Sequence, residues 1–241
     1  MSSSLVNITL PQLVIAALPV VPVVVLLVKW QLAWGRAIHA LLRMLAQLLL
    51  VGYVLTFIFD ASDWRLVIGV LGVMAFTASW ISVSAASEKR RAIYPAAFAS
   101  LLLTCGFMIA LITQGVLEAT PWYDPKVIIP LSGMIFSNAM NGVSLAAERL
   151  ISELDNSEPF EVARGKALSA ALIPVVNGLF AVGLVSLPGM MTGQILSGVS
   201  PLIAARYQIV VMCMLFATTG VSSAMFLVLV RRALGGATTS L

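Results

Sequence analysis

An all-α bundle of about seven membrane-spanning helices, N-terminus out and C-terminus in, is the fold class the sequence predicts. Three observations predict it: an apolar excess, charge-free stretches of spanning length, and an uneven split of Lys and Arg between alternate loops. Hydrophobic residues make up 60% of the 241-residue chain and charged residues only 10%, with a mean hydropathy of +1.03. A water-soluble domain carries roughly 25% charged residues. Too few polar side chains remain here to cover a surface facing water, so the chain reads as one transmembrane domain, 1–241.

A spanning helix needs about 20 predominantly apolar residues. Such stretches predict spans near 8–28, 37–59, 66–86, 93–117, 127–147, 167–190 and 206–230. The second contains the shortest uncharged run, Met44–Phe59, which Ala37–Leu42 extends, and His39 and Arg43 near its end can reach the headgroups. No Lys or Arg precedes Lys29, so the first span lacks the basic start of a signal peptide and is expected to stay in the mature protein. The stretch 167–205 holds no charge and is interrupted by Pro174, Pro188 and five glycines. It is either one span plus a loop or a span followed by a re-entrant piece, with 189–201 the open part.

Charge bias chooses between seven and eight crossings. With one span in 167–205, Lys29, Arg36, Arg43, Lys89, Arg90, Arg91, Arg149, Arg164, Lys166, Arg231 and Arg232 share one side. Only Arg65, Lys126 and Arg206 lie on the other. Such an excess marks the cytoplasmic face. The same distribution explains the net charge of +4 without nucleic acid as a partner. The partner it implies is the lipid bilayer of a cell membrane, the inner membrane in a bacterium.

The connection 148–166 is expected to be a cytoplasmic loop. It contains eight of the 24 charged residues (Glu148, Arg149, Glu153, Asp155, Glu158, Glu161, Arg164 and Lys166), with Leu150, Ile151, Leu154 and Phe160 between them. It reads equally as a solvated connector or as a helical docking element that Pro159 divides. The tail after Arg232 is rich in Gly, Ala, Thr and Ser and is expected to fray.

Several chemistries lack their residues. No G-x-x-x-x-G-K-[ST] loop, H-E-x-x-H or G-x-S-x-G motif occurs, and no Asp or Glu falls deep inside an expected span. Enzymatic catalysis and proton coupling are disfavoured on those grounds. Cys105 and Cys213 sit in apolar runs and read as small hydrophobes. His39 reads as structural, and no metal ligands are assigned.

Two segments carry polar groups at membrane depth. PLSGMIFSNAMN (130–141) places Ser132, Asn138 and Asn141 in one span. These can bond between helices or line a substrate path. GLVSLPGMMTGQIL (183–196) contains Pro188 and Gly189, a candidate hinge, and Ser186, Met190, Met191 and Gln194, candidate path residues. Gly189-x-x-x-Gly193 is also a possible close-packing face. Met190, Met191, Met212 and Met214 invite a soft-metal reading, against which stands the ordinary use of methionine as flexible packing.

PLSGMIFSNAMN, AALIPVVNG (170–178), VGLVSLPGMMTGQIL (182–196), SGVSPLIAARYQIVVM (197–212) and RMLAQLLLVGYVL (43–55) resemble segments of the FetB-type ABC transporter permeases. That family includes bacterial iron exporters and plant aluminium-sensitivity and STAR-type permeases. The resemblance implies the membrane subunit of a two-component exporter, paired as a homodimer and powered by a separate ATP-binding subunit that holds ATP and Mg. It implies iron or another metal as cargo, with an organic solute such as a sugar nucleotide as the alternative. It also makes 148–166 the ATPase-coupling region, through Glu148, Arg149, Glu153, Glu158, Glu161 and Arg164. This segment is shorter than in typical members, which motivates a third reading, a non-transporting membrane scaffold or regulator.

One expectation tests the path directly. Gln194→Leu should change the profile of substrate-stimulated ATPase activity in reconstituted liposomes. An unchanged profile would assign Gln194 to packing.

Overall fold

The computed structural model describes residues 9–60 and 63–235. The expectation of a frayed tail falls in 236–241, outside the described residues. The chain divides into two compact units, within 1–61 and 62–241, where the sequence suggested one domain.

The smaller unit holds α1 (Leu10–Ala17), α2 (Val20–Lys29) and α3 (Trp34–Asp60). Pro19 explains the division between α1 and α2, because it lacks the N–H that would bond the Ile15 carbonyl. The Leu18 N–H takes that carbonyl instead, at 3.2 Å. Leu10–Lys29 is nevertheless 20 residues long and apolar enough to cross a bilayer, and α3 matches and slightly exceeds the expected 37–59 span.

The larger unit is built around α6. Its helices are α4 (Trp64–Ser82), α5 (Arg90–Ala110), α6 (Pro125–Asp155), α7 (Phe160–Ala181), α8 (Gly189–Leu196) and α9 (Pro201–Gly235). A 3₁₀ segment, Ser84–Lys89, leads into α5, and a π-helical turn, Leu111–Val116, ends it. Asp63 and Asp124 cap α4 and α6, their carboxylates accepting from the N–H groups of Arg65 and Lys126 at 2.9 and 3.0 Å. Pro125 sits at the first position of α6, where its missing N–H has no helical partner to lose.

Helix α6 packs against α4, α5, α7 and α9. Its buried stripe is Ile135, Ala139, Val143, Ala146 and Leu150, one position every three or four residues. Helix α5 answers with Ile93, Ala97, Leu101 and Cys105, and α7 with Ala163, Ala167, Ala171 and Val175. Burial raises the packing worth of small residues, which let helices approach closely in lipid. The closest approach is at Gly142, where an added Cβ would meet Thr219 Cγ2 at 2.7 Å and Ser223 Oγ at 2.8 Å.

Six segments among the described residues are long and apolar enough to span: the pair α1–α2, then α3, α4, α5 with its π turn, α6 and α9. The expected seventh crossing, 167–190, corresponds to α7. That helix is 22 residues long, but Glu161, Arg164 and Lys166 in its first two turns make it less apolar than the six.

The structure differs from the sequence reading in three places. The charged stretch 148–166 is not a loop but takes the other form read for it, helix divided near Pro159: α6 runs to Asp155 and α7 begins at Phe160, leaving a four-residue turn. Good helix formers after Ala147 extend α6, and Pro159 starts α7 instead of breaking a helix. Next, α7 ends at Ala181, ahead of Pro188. The chain leaves the helix through Gly183, at φ +84°, and the Gly183 N–H donates to the Ser186 carbonyl at 2.9 Å. Pro188 then opens the separate helix α8. Finally, Gly189 and Gly193 have no atom of the described residues within 4 Å of an added Cβ, so the close-packing face expected there meets no neighbour among them.

Gly142→Val should lower the thermal midpoint of the purified protein, by an amount corresponding to about 1–3 kcal/mol of overpacking. Gly193→Ala, in open space, should leave it within about 0.5 kcal/mol. Equal effects would show that the α6–α9 contact is not tight.

Candidate functional site

The 31 residues of α6 rise about 46 Å at 1.5 Å per residue, against a hydrocarbon core of about 30 Å. Its last turns therefore project past the membrane, and so does the start of α7. Here, at the basic end of the larger unit, the helices are tied by ion pairs.

Glu153 is at the centre. Its side chain is only 8% exposed. It accepts from Lys166 Nζ at 2.7 Å and pairs with Arg149 one turn back. Lys166 also donates to Glu158 at 2.8 Å, across the turn between the helices. Lys89 reaches Asp155 at 3.0 Å, bringing in the 3₁₀ segment. Glu161 pairs with Arg164 and, at 2.9 Å, with Arg231 from the end of α9. Arg231 also lies 5.5 Å from the Phe160 ring centroid. The hydrogen bond from Lys166 holds the Glu153 carboxyl below the usual carboxylate range, and Glu153 in turn raises Lys166.

Of the six residues expected to couple, Arg149, Glu153 and Glu158 are joined through Lys166, Glu161 and Arg164 form a second cluster with Arg231, and Glu148 stands exposed. Lys89 and Asp155 make a separate pair at the same end. Lys89 and Arg231 come from distant parts of the chain, which linear spacing cannot bring together.

A second site lies between α6, α8 and α9 and the loop before α6. It is a cavity of about 460 Å³. Met134, Met190 and Met214 line it with Leu131, Val210, Val211 and Tyr207, and Glu118, Asp124 and Lys126 contribute its charged groups. Of the residues expected on a path, Met190 alone lines this cavity. Met191 faces a different recess of about 370 Å³ with Gln208, Met212 and Cys213. Ser132 is fully buried and its Oγ has no protein partner. Asn138 donates to the Met134 carbonyl at 3.0 Å, and Asn141 and Ser186 lie on the outer surface. Gln194 is half-buried with Oε1 unpartnered. The expected hinge residues stand at the start of α8, whose second residue is Met190.

Sequence reasoning missed Glu118, Asp124, Met134 and Tyr207 as cavity residues. It also missed a row of buried hydroxyls on α9, of which Thr218, Thr219 and Ser223 lack protein partners. The available signal for that row was spacing: 218, 219, 222 and 223 repeat at helical intervals on one face.

An apolar helical bundle with a cavity between its helices and a charged end is the build of a multi-pass, permease-like membrane protein. The chain belongs to the uncharacterised protein family UPF0014, which it matches over residues 10–234. It is 33% identical to the probable iron export permease protein FetB of Escherichia coli, over 90% of this chain and 88% of that one. It is also 33% identical to a UPF0014 membrane protein of Synechocystis, over 82% of this chain and 83% of the relative. The protein ALUMINUM SENSITIVE 3 of Arabidopsis thaliana is 33% identical over 78% of this chain and 73% of its own length. No solved structure matches the chain significantly.

The network makes a thermal prediction. Glu153→Ala, which removes the partner of Arg149 and one of the two partners of Lys166, should lower the unfolding midpoint in micelles more than Asp155→Ala, whose side chain is 63% exposed. Equal shifts would mean that Glu153 does not hold the helices together.

Proposed function

We propose that this chain is the membrane permease subunit of a two-component exporter, driven by a separate ATP-binding subunit. The observation that carries the reading is the braced helical tip formed by α6 and α7. A docking surface must pass a push from its partner to the membrane helices. Here a largely buried carboxylate ties α6 to α7, and Glu161 ties α7 to α9. The surplus of Lys and Arg at this end supports a cytoplasmic placement, where ATP is available. Two ATP-binding subunits acting as a pair would call for two copies of this chain.

The name of the Escherichia coli relative supplies a metal, iron, as the first cargo to test. A second reading, an organic solute, is favoured by the cavity. Its walls are mainly aliphatic side chains and thioethers, and among the described residues no group of three or more His, Cys, Asp or Glu is placed to hold a metal ion. Hard cations prefer several oxygen ligands.

Co-purification tests the permease reading. An ATP-binding subunit of the ABC type should follow the tagged chain through detergent extraction. Arg149→Glu should reduce that association about tenfold, the order expected for a reversed charge at an interface, with the fold retained because Lys166 still neutralises Glu153. No associated ATPase, and no ATPase stimulation in liposomes, would overturn the reading in favour of a scaffold.

A further inference from the structure

The cavity between α6, α8 and α9 joins four properties. Its volume of about 460 Å³ falls within the range that encloses a drug-sized molecule and far exceeds what one dehydrated ion fills. Its three thioethers, from Met134, Met190 and Met214, come from three different helices. Methionine is flexible and polarizable, and walls made of it adapt to bodies of differing shape. Tyr207 adds an aromatic face. The charged groups on its lining are two carboxylates, Glu118 and Asp124, against one ammonium, Lys126.

The carboxylates differ in what they can offer. Asp124 spends one oxygen on capping α6 through the Lys126 N–H, at 3.0 Å. Glu118 has no salt bridge or side-chain hydrogen bond to another described residue, and the backbone there takes φ +47°, an unusual conformation for a residue other than glycine. A cation lodged among the methionines would find the exposed carboxylate of Glu118 and the ring of Tyr207 within the same lining, two kinds of group that favour a weakly hydrated positive charge. An anion would meet net negative charge.

We propose that this cavity is a binding site for amphipathic organic cations: an apolar body seated against Met134, Met190 and Met214, its positive charge balanced by Glu118 and Asp124. The proposal rests on the permease reading for its purpose, since the cavity would then hold cargo, but binding itself needs no ATPase.

Tetraphenylphosphonium and tetraphenylborate test it, because they match in size and shape and differ in the sign of their charge. Equilibrium dialysis against the full chain in nanodiscs, corrected with empty nanodiscs, should show saturable binding of the cation and at least tenfold weaker binding of the anion. Glu118→Gln with Asp124→Asn should weaken the cation about tenfold and leave the anion no weaker. Met190→Trp should fill the cavity and abolish cation binding. Met190 lies on the short helix α8, half-buried and packed against the core without belonging to it, and Val210→Trp, from α9, provides an independent filling. The proposal is overturned by non-saturable uptake, by equal affinity for both ions, or by cation binding indifferent to both the carboxylate and the filling variants. Failure here with an ATPase still co-purifying would leave the permease reading standing. Binding without any ATPase would sink that reading and keep this site.

Discussion

The close approach of α6 to α9 at Gly142 is the contact on which the larger unit depends. In lipid there is little hydrophobic gain from bringing two apolar helices together, so packing and polar contacts must do it. A glycine in α6 lets Thr219 and Ser223 of α9 come as near as a missing side chain allows. That contact sets the separation of the two helices. Toward one end, the same pair opens around Leu131, Met134, Val210, Val211 and Met214 to make the cavity. Toward the other, each helix is tied to α7 by its own ion pair, α6 through Glu153 and Lys166 and α9 through Arg231 and Glu161.

The two sites are therefore linked through shared helices. Helix α6 contributes Met134 to the cavity and Glu153 to the basic end, and α9 contributes Met214 and Arg231. Between these lie buried small and hydroxyl-bearing residues, including Ala139, Val143, Thr218 and Ser222. Such an interface offers little bulk to interlock. Helices meeting through small side chains can slide or tilt with fewer rotamer changes than helices meeting through large ones. The buried hydroxyls at Thr218, Thr219 and Ser223 have no protein partner, which makes this seam less firmly closed than a hydrocarbon contact.

Much of this fold was legible in the sequence. Uncharged runs located α3, α4 and α5 with its π turn to within a few residues, because nothing else accommodates about 20 apolar residues in a row. Buried periodicity in α6 follows from its Ile135, Ala139, Val143 spacing. The ends of helices were less legible. Charge alone suggested a loop at 148–166, yet Glu, Arg, Leu and Ala are good helix formers and the helices simply continue into water. Pro188 looked like the break in a helix that had already ended at Ala181, because a glycine at positive φ gives no sign of its backbone angle. The candidate site was the least legible part. A cavity is a gap between elements, and Glu118, Met134, Met190, Tyr207 and Met214 share no spacing that a single helix could reveal.

Helix α8 gives the cavity an unusual kind of wall. It is eight residues long, carries Met190, and is bounded by Gly183 and Gly198, both at positive φ. Neither glycine has an atom within 4 Å of where its Cβ would stand. Between these two glycines α8 packs on α9 and sets Met190 against the core. A change confined to 183–198 would therefore reshape one wall of the chamber without shortening or breaking any of the six spanning segments.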